Sequence, residues 1–307
     1  MKCAVLDLGT NTFHLLIAES AGAGDWRVLV KNKIYVKLAE EGIHHIGEAA
    51  FERGLNALRV FRAELSAAQV VPENVRAFGT AALRTAENAP DFLTRAEEIL
   101  GIRPEKIPGE REAELIHKGV RRAVPFPDNR ILIMDIGGGS TEFIIADRER
   151  VFWQKSFPVG AAVLWRDFHR HEPIAPEEIQ EVENYLETTL ADLWLALERF
   201  PCPTLVGASG TFDVIDLFLL DPAEKPERYG HILVSEFYPL YEKLVASTLA
   251  ERRAMPLMPD ERVEMVVVAV ILIRKVLEKA GVGEIYTSMY AMKEGMLAEM
   301  LEKAAER

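Results

Sequence analysis

Three short strings carry most of the chemistry in this 307-residue sequence. The first is Asp7-Leu-Gly-Thr10-Asn11-Thr12, and the second is Asp135-Ile-Gly137-Gly138-Gly139-Ser140-Thr141-Glu142. The third is Gly207-Ala-Ser209-Gly210-Thr211. A tight turn of Gly, Ser and Thr between two strands aims several backbone N–H groups one way, and such a concavity binds anions. Hydroxyls add donors for phosphate oxygens. Gly137, Gly138 and Gly139 let a phosphate approach the backbone closely. A carboxylate beside a phosphate repels it unless a cation stands between them, so Asp7 and Asp135 point to magnesium, held directly or through its waters. A lone Asp-x-Gly is an ordinary β-turn. Two copies plus the third loop favour the phosphate reading.

Strands must position these strings. Cys3–Leu8 is a short apolar run that ends in the first string, and Phe13–Ala18 follows it. Val28–Val30 and Ile34–Leu38 read as two more strands by β-branched enrichment. Phe51, Leu55, Leu58, Phe61 and Leu65 recur at helical spacing. Val75–Phe78 is a strand candidate, and helices are expected near 89–100 and 110–122. The pattern then restarts. Val124-Pro-Phe-Pro-Asp-Asn is a proline-rich boundary or hinge. Ile131–Ile136 runs into the second string, with strands at 143–147 and 151–156 beyond it. One acidic helix, 176–198, has seven acidic and no basic side chains and reads as a solvated outer face. Strand 204–206 leads into the third string. A buried helix at about 261–279, strand 285–288 and a helix from about Met292 close the chain.

Asp7-Leu-Gly and Asp135-Ile-Gly lie 128 residues apart, each at the end of an apolar strand and each followed by a second strand. Two copies imply two similar α/β domains facing each other across a cleft, not a solenoid. The expected domains are 1–124 plus about 293–307, and 125–292, with hinge closure near 124–128 and 291–295.

Charge limits the partners. The chain has 36 basic and 48 acidic side chains, a net charge of −12. Residues 1–124 balance 17 against 17, and residues 125–307 carry 19 against 31. This argues against nucleic-acid binding by bulk positive charge and against a polybasic membrane-surface protein. The longest apolar run, Met265–Ile273, is nine residues, about half of a membrane span. Two cysteines, Cys3 and Cys202, and the absence of an apolar leader at the N-terminus lead us to expect a protein of the reducing cytoplasm. A homodimer is the base-rate expectation for assembly.

The strings DLGTNTFHLLIAE (7–19), GTAALRTAENAPDFL (79–93), PGEREAELIHKGV (108–120), MDIGGGSTEFII (134–145), GASGT (207–211) and AMKEGML (291–297) resemble the exopolyphosphatase/guanosine pentaphosphate phosphatase (Ppx/GppA) family. They occur in that family's order across essentially the whole chain. The resemblance implies two ribonuclease H-like domains of the actin-like ATPase superfold, with the C-terminal helix crossing back to the first. It implies the short, two-domain form, without the extra C-terminal domains of longer members. It also implies hydrolysis of the terminal phosphoanhydride of inorganic polyphosphate, or of the 5′ γ-phosphate of pppGpp, with Mg2+. Carried over by motif, Glu112 matches the catalytic base. Asp135 and Glu142 match the magnesium-binding and water-positioning carboxylates of the second loop, and Asp7 takes the corresponding part in the first. Thr10, Asn11, Thr12, Gly137–Thr141 and Ser209, Gly210 and Thr211 would cradle phosphates, and Arg84 matches an arginine of the phosphate site. The chemistry is coherent: a carboxylate activates water, and a guanidinium grips phosphate in two places.

Other features read as plain structure. Lys31, Lys33 and Lys37 alternate as a solvated strand face, although they could guide a polyanion. The seven histidines have no metal-ligand spacing, and His169 and His171 read as loop surface. Three departures from the family pattern stand out. Arg111 replaces an acidic residue before the base, which bears on substrate preference or on the pKa of the base. Lys293 replaces an arginine, and Tyr290-Ala291 stands near the usual Tyr-Gly. Two other readings compete: an ATP-dependent kinase of the same superfold, and a non-catalytic nucleotide sensor. Thr10-Asn11-Thr12-Phe13-His14 and the Glu112 segment favour the hydrolase over the kinase, and Glu112, Asp135 and Glu142 speak against the sensor.

Overall fold

The computed structural model describes residues 1–22, 24–126, 129–223 and 225–305. The chain divides into two compact units, residues 1–119 with the chain from Met292 onward, and residues 120–291. Of the proline-rich stretch and hinge expected near 124–129, residues 127 and 128 lie outside the described residues.

In the first unit β1 (Lys2–Leu8), β2 (Thr12–Gly22) and β3 (Asp25–Tyr35) form an antiparallel meander. After it come α1 (Glu48–Ala67), β4 (Val75–Gly79), the short α2 (Ala81–Thr85) and α3 (Ala89–Leu100). The two-residue β5 (Glu105–Lys106) and α4 (Gly109–Val120) complete the run. β4 joins β1 in parallel, giving the order β3-β2-β1-β4-β5. Alternate residues Leu6, Leu8, Phe13 and Leu15 bury one face of the meander against Leu55, Leu58 and Phe61 of α1. Phe92 of α3 meets Phe13 and Phe51 edge to face, at 6.1 and 5.1 Å between centroids. The two strands expected at 28–30 and 34–38 are one, because β3 pairs with β2 along its length with a bulge between Ile17 and Ala18. Lys37 lies past its end at φ 47°, so it does not alternate with Lys31 and Lys33.

The second unit opens with β6 (Ile131–Ile136), β7 (Thr141–Ala146) and β8 (Val151–Phe157). Helices α5 (Ala161–Phe168), α6 (Pro176–Thr189) and α7 (Ala191–Arg199) precede β9 (Thr204–Ala208) and α8 (Gly210–Leu219). Next come β10 (Tyr229–Leu233), α9 (Val234–Val245), α10 (Leu249–Arg253), α11 (Val266–Ala280) and β11 (Glu284–Ser288). The chain re-enters the first unit as α12 (Met292–Ala305). The strand order is β10-β11-β9-β6-β7-β8, so β8-β7-β6-β9 repeats β3-β2-β1-β4. The duplication inferred from two strings is therefore a duplication of topology.

Central β6 is buried at every residue, as a strand flanked on both sides and covered on both faces must be. The apolar helix is α11, buried from Val266 to Ile273 and ended by left-handed Gly281. Among the described residues no helix is long and apolar enough to cross a membrane.

Two expectations fail here. The acidic stretch 176–198 is two helices broken at Leu190, and it is not merely solvated. Glu183 pairs with Arg274, and Glu187 with Lys275 at 2.8 Å, both from α11. Glu178 is buried; burial alone would push its carboxyl up, but backbone N–H groups of Ala175, Arg170 and His171 and the His171 ring hold it below the usual range. The complementary charges stand about ninety residues away, where sequence inspection of the helix cannot find them. His169 is not loop surface either. Its ring is buried 3.4 Å from Glu172, whose carboxylate takes two hydrogen bonds, of 2.7 and 2.9 Å, from the fully buried Arg252. Burial holds the His169 pKa below its ordinary value.

Candidate active site

In the first unit the loop between β1 and β2 is closed by Gly9 N–H donating to the Thr12 carbonyl, 3.1 Å. Its carbonyls face a backing segment. Leu38 N–H donates to Thr10 O at 2.8 Å, and Val36 and Lys37 N–H donate to Asn11 O at 2.9 and 3.1 Å. The N–H groups of Thr10 and Asn11 have no protein acceptor among the described residues. The loop is thus polarised, with its oxygens engaged behind and its amides available in front. Thr10 Oγ1 accepts from Ala82 N–H, 3.1 Å, and the buried Asn11 side-chain oxygen has no partner among the described residues. Thr12 is buried beside them.

Glu112 lies in the first turn of α4. Neighbouring Glu110 and Glu114 are exposed, whereas Glu112 is turned inward and 8% exposed. Arg84, on α2, donates from Nη1 to Glu112 Oε2 at 2.6 Å and to the Ile107 carbonyl at 3.1 Å. Both contacts use one nitrogen, so Nε and Nη2 of Arg84 have no protein partner among the described residues. Burial pushes the Glu112 carboxyl above its ordinary pKa, and the Arg84 charge opposes that rise only in part. Arg111 does not reach this pair; its guanidinium is turned to Glu114 and Glu299.

The second unit repeats the loop. Gly137 N–H donates to Ser140 O at 2.9 Å. The Gly137 and Gly138 carbonyls accept from Ala161 and Ala162 at the start of α5, at 2.9 and 3.0 Å. The N–H groups of Gly138, Gly139 and Ser140 have no protein acceptor among the described residues. Gly160 backs this loop so closely that a Cβ there would strike the Gly138 carbonyl and lie 2.5 Å from Gly139 N. Thr141 is buried, and its hydroxyl donates to the Val159 carbonyl.

Ser209 is at φ 77°, a left-handed position that costs a non-glycine residue about 1–3 kcal/mol. Its hydroxyl donates to Ile136 O at 2.9 Å and accepts from Ile136 N–H at 3.2 Å, tying the third loop to the end of β6. Gly210 and Thr211 open α8, where the first amides lack helical partners. A Cβ on Gly210 would fall on the guanidinium of Arg262, which has no hydrogen-bond or ion-pair partner among the described residues. Sequence reading missed Arg262, because Asp260-Glu261-Arg262 carries no local mark of a site.

Asp135, Glu142 and Ser156 stand opposite one another across β6, β7 and β8. Ser156 Oγ donates to Glu142 Oε1, 2.6 Å. Ser156 is a second residue the sequence reading missed, found only through strand register. Both carboxylates are buried, and like charges directly opposite destabilise a sheet unless a cation or proton intervenes. Two hard oxygen donors suit magnesium, which takes one or two carboxylates and completes its shell with water and phosphate oxygens. Among the described residues no group of three His, Cys, Asp or Glu side chains could hold a metal alone. In the first unit the equivalent row is Asp7, His14 and Lys33, with cationic or neutral groups where the second has Glu142 and Ser156.

Two α/β units, each a three-stranded meander extended by a parallel strand and carrying a glycine-hydroxyl loop after its first strand, define the actin-like ATPase fold. Residues 16–304 match the Ppx/GppA phosphatase family, and the chain belongs to it. It is 38% identical to an exopolyphosphatase from Cytophaga hutchinsonii, with 99% of this chain and 98% of that one covered and a TM-score of 0.94. A guanosine-5'-triphosphate,3'-diphosphate pyrophosphatase of Photobacterium profundum is 28% identical over 301 residues, 98% of this chain. The chain spans 59% of that relative's length. The Aquifex aeolicus PPX-GPPA enzyme, at 23% identity, 97% and 99% coverage and a TM-score of 0.80, shares the fold.

Proposed function

We propose that this chain is a phosphohydrolase that releases terminal orthophosphate from inorganic polyphosphate, the 5′ γ-phosphate from pppGpp, or both. The observation that carries the reading is Glu112: a buried carboxylate with a raised pKa, 2.6 Å from an arginine whose remaining donors are open. Glu112 takes a proton from the attacking water, and a raised pKa makes it a better base near neutral pH. Arg84 offers Nε and Nη2 to the phosphate while Nη1 holds the base. Within each unit backbone amides carry most of the phosphate contact: Thr10 and Asn11 in the first, and Gly138, Gly139, Ser140, Gly210 and Thr211 in the second. Thr141 and Ser209, whose hydroxyls are engaged with backbone, hold the loops in shape. Arg262 adds charge at the third loop. In the second unit Asp135 and Glu142 would hold magnesium, which would neutralise charge on the phosphate oxygens, and Asp7 is the candidate metal ligand at the first unit's loop.

Purified protein with magnesium should release orthophosphate from polyphosphates of several lengths or from pppGpp. Glu112→Gln should lose about 100-fold or more of kcat while still binding substrate. Near-normal turnover by that variant would remove Glu112 from the role of base, and transfer of phosphate from ATP to a small acceptor, without hydrolysis of either substrate, would favour a kinase.

A further inference from the structure

Arg111 departs from the family pattern at the position before the proposed base, and its surroundings in the first unit give it work of another kind. Its Nη2 donates to both oxygens of Glu299 on α12, at 2.7 and 2.6 Å, and its Nη1 donates to Glu114 at 2.9 Å. Glu299 is a hub: Lys303 reaches it at 2.8 Å and Lys118 at 3.6 Å, and Lys118 also reaches Glu302 at 2.9 Å. Burial pushes the Glu299 carboxyl up, but Arg111 and Lys303 hold it at about 2. Beside the ion cluster the two helices touch backbone to backbone. A Cβ on Gly295 would strike the Leu115 carbonyl and come within 3.1 Å of Gly119 N. α12 also packs on β1, the strand that ends at Asp7 and the first phosphate loop. The last helix therefore touches both the strand that presents the loop and the helix that presents Glu112.

We propose that Arg111 is a positioning residue: with Glu299 it clamps the first turn of α4 to α12 and so fixes where Glu112 stands relative to the first phosphate loop. This rests on the reading of Glu112 as base. A helix's first turn is its weakest, because its amides lack intrahelical acceptors. Arg84 also ties this turn from outside the helix, as does Ile107, whose N–H donates to Gly79 O at 3.2 Å. Arg84 is the residue that a bound phosphate also claims. When phosphate engages Nε and Nη2, Nη1 alone keeps Arg84 on Glu112, and any shift of the guanidinium toward phosphate moves the base with it. The Arg111–Glu299 contact does not compete with substrate and keeps the carboxylate in line.

The test is a double-mutant cycle on phosphate release, with magnesium and whichever of polyphosphate or pppGpp reacts faster. Arg111→Met and Glu299→Gln should each lower kcat about 10-fold, since a displacement of about 1 Å costs up to about 100-fold. KM should stay within about twofold. The double variant should fall no further than the worse single, because both remove one contact. Arg111→Lys, which still reaches Glu299, should keep most of kcat. Should Arg111→Met not fold, Glu299→Gln and Arg111→Lys carry the same comparison. Full kcat in folded Arg111→Met or Glu299→Gln, losses that multiply in the double, or a rise in KM at unchanged kcat would each overturn the proposal. Glu112→Gln separates the two claims. If it turns over normally, the base assignment fails and the clamp with it. If it is inactive while Arg111→Met runs at full kcat, only the clamp fails.

Discussion

Glu112 carries two opposing influences, burial and Arg84, and burial prevails. A base must be ionised, so activity is lost as pH falls through its pKa in the folded enzyme. Because that pKa is raised, the acid limb of kcat/KM should lie above about 4.3, the ordinary glutamate value. Arg84→Met removes the charge that favours the carboxylate, so the limb in that variant should move further up. A pH–rate profile checks both, and a limb at or below the ordinary glutamate value would contradict the assignment. At the same scale, hydroxyl and amide divide the work differently from what composition suggested. Thr141 and Ser209 look like phosphate ligands by residue type, but their hydroxyls bond Val159 and Ile136. What is left open toward an anion is largely backbone N–H, which a sequence shows only as the glycines and small residues that permit it.

At the scale of elements, each phosphate loop depends on a backing segment that takes up its carbonyls. Val36–Leu38 serves the first loop, and the start of α5 serves the second. Gly160 is the point of closest approach, and the atoms in front of it are backbone, which cannot swing aside as a side chain can. Gly160→Ala should therefore cost about 1–3 kcal/mol as overpacking and displace the Gly138–Gly139 amides. A thermal melt should show the loss, and KM should rise more than kcat falls. An unchanged KM would mean that these amides do not contact substrate. The acidic stretch 176–198 teaches a related point. Its charges looked solvated because no base lies within helical reach, yet Arg274, Lys275 and Lys279 on α11 meet Glu183 and Glu187.

For the whole molecule, the net charge of −12 remains the constraint to explain in a protein proposed to act on polyanions. The proposed function meets it locally, through loop amides and Arg84 in the first unit and loop amides, Arg262 and magnesium in the second, and not through a basic surface. Two outcomes should follow. Chelating magnesium should abolish phosphate release. The KM for polyphosphate, expressed per chain end, should change little between short and long chains, because outer surface of this charge gains nothing from a longer anion. A KM that falls steadily with chain length would reveal an extended anion track and overturn this view.

Length, apolar runs and the repeated Asp-x-Gly turns were enough to determine an α/β chain with a duplicated strand–loop–strand unit, since each is a local property of backbone and side-chain type. Motif order was enough to determine the family, and it put Glu112 forward as the proposed base ahead of its glutamate neighbours. Tertiary structure alone decided the rest. Strand register aligned Ser156 with Glu142. Packing brought Arg262 against Gly210 and buried His169 beside Arg252. Chain return set Glu299 on Arg111. In each case the partners are distant in sequence, and only the folded backbone fixes the few ångströms over which hydrogen bonds, charge pairs and steric contacts act.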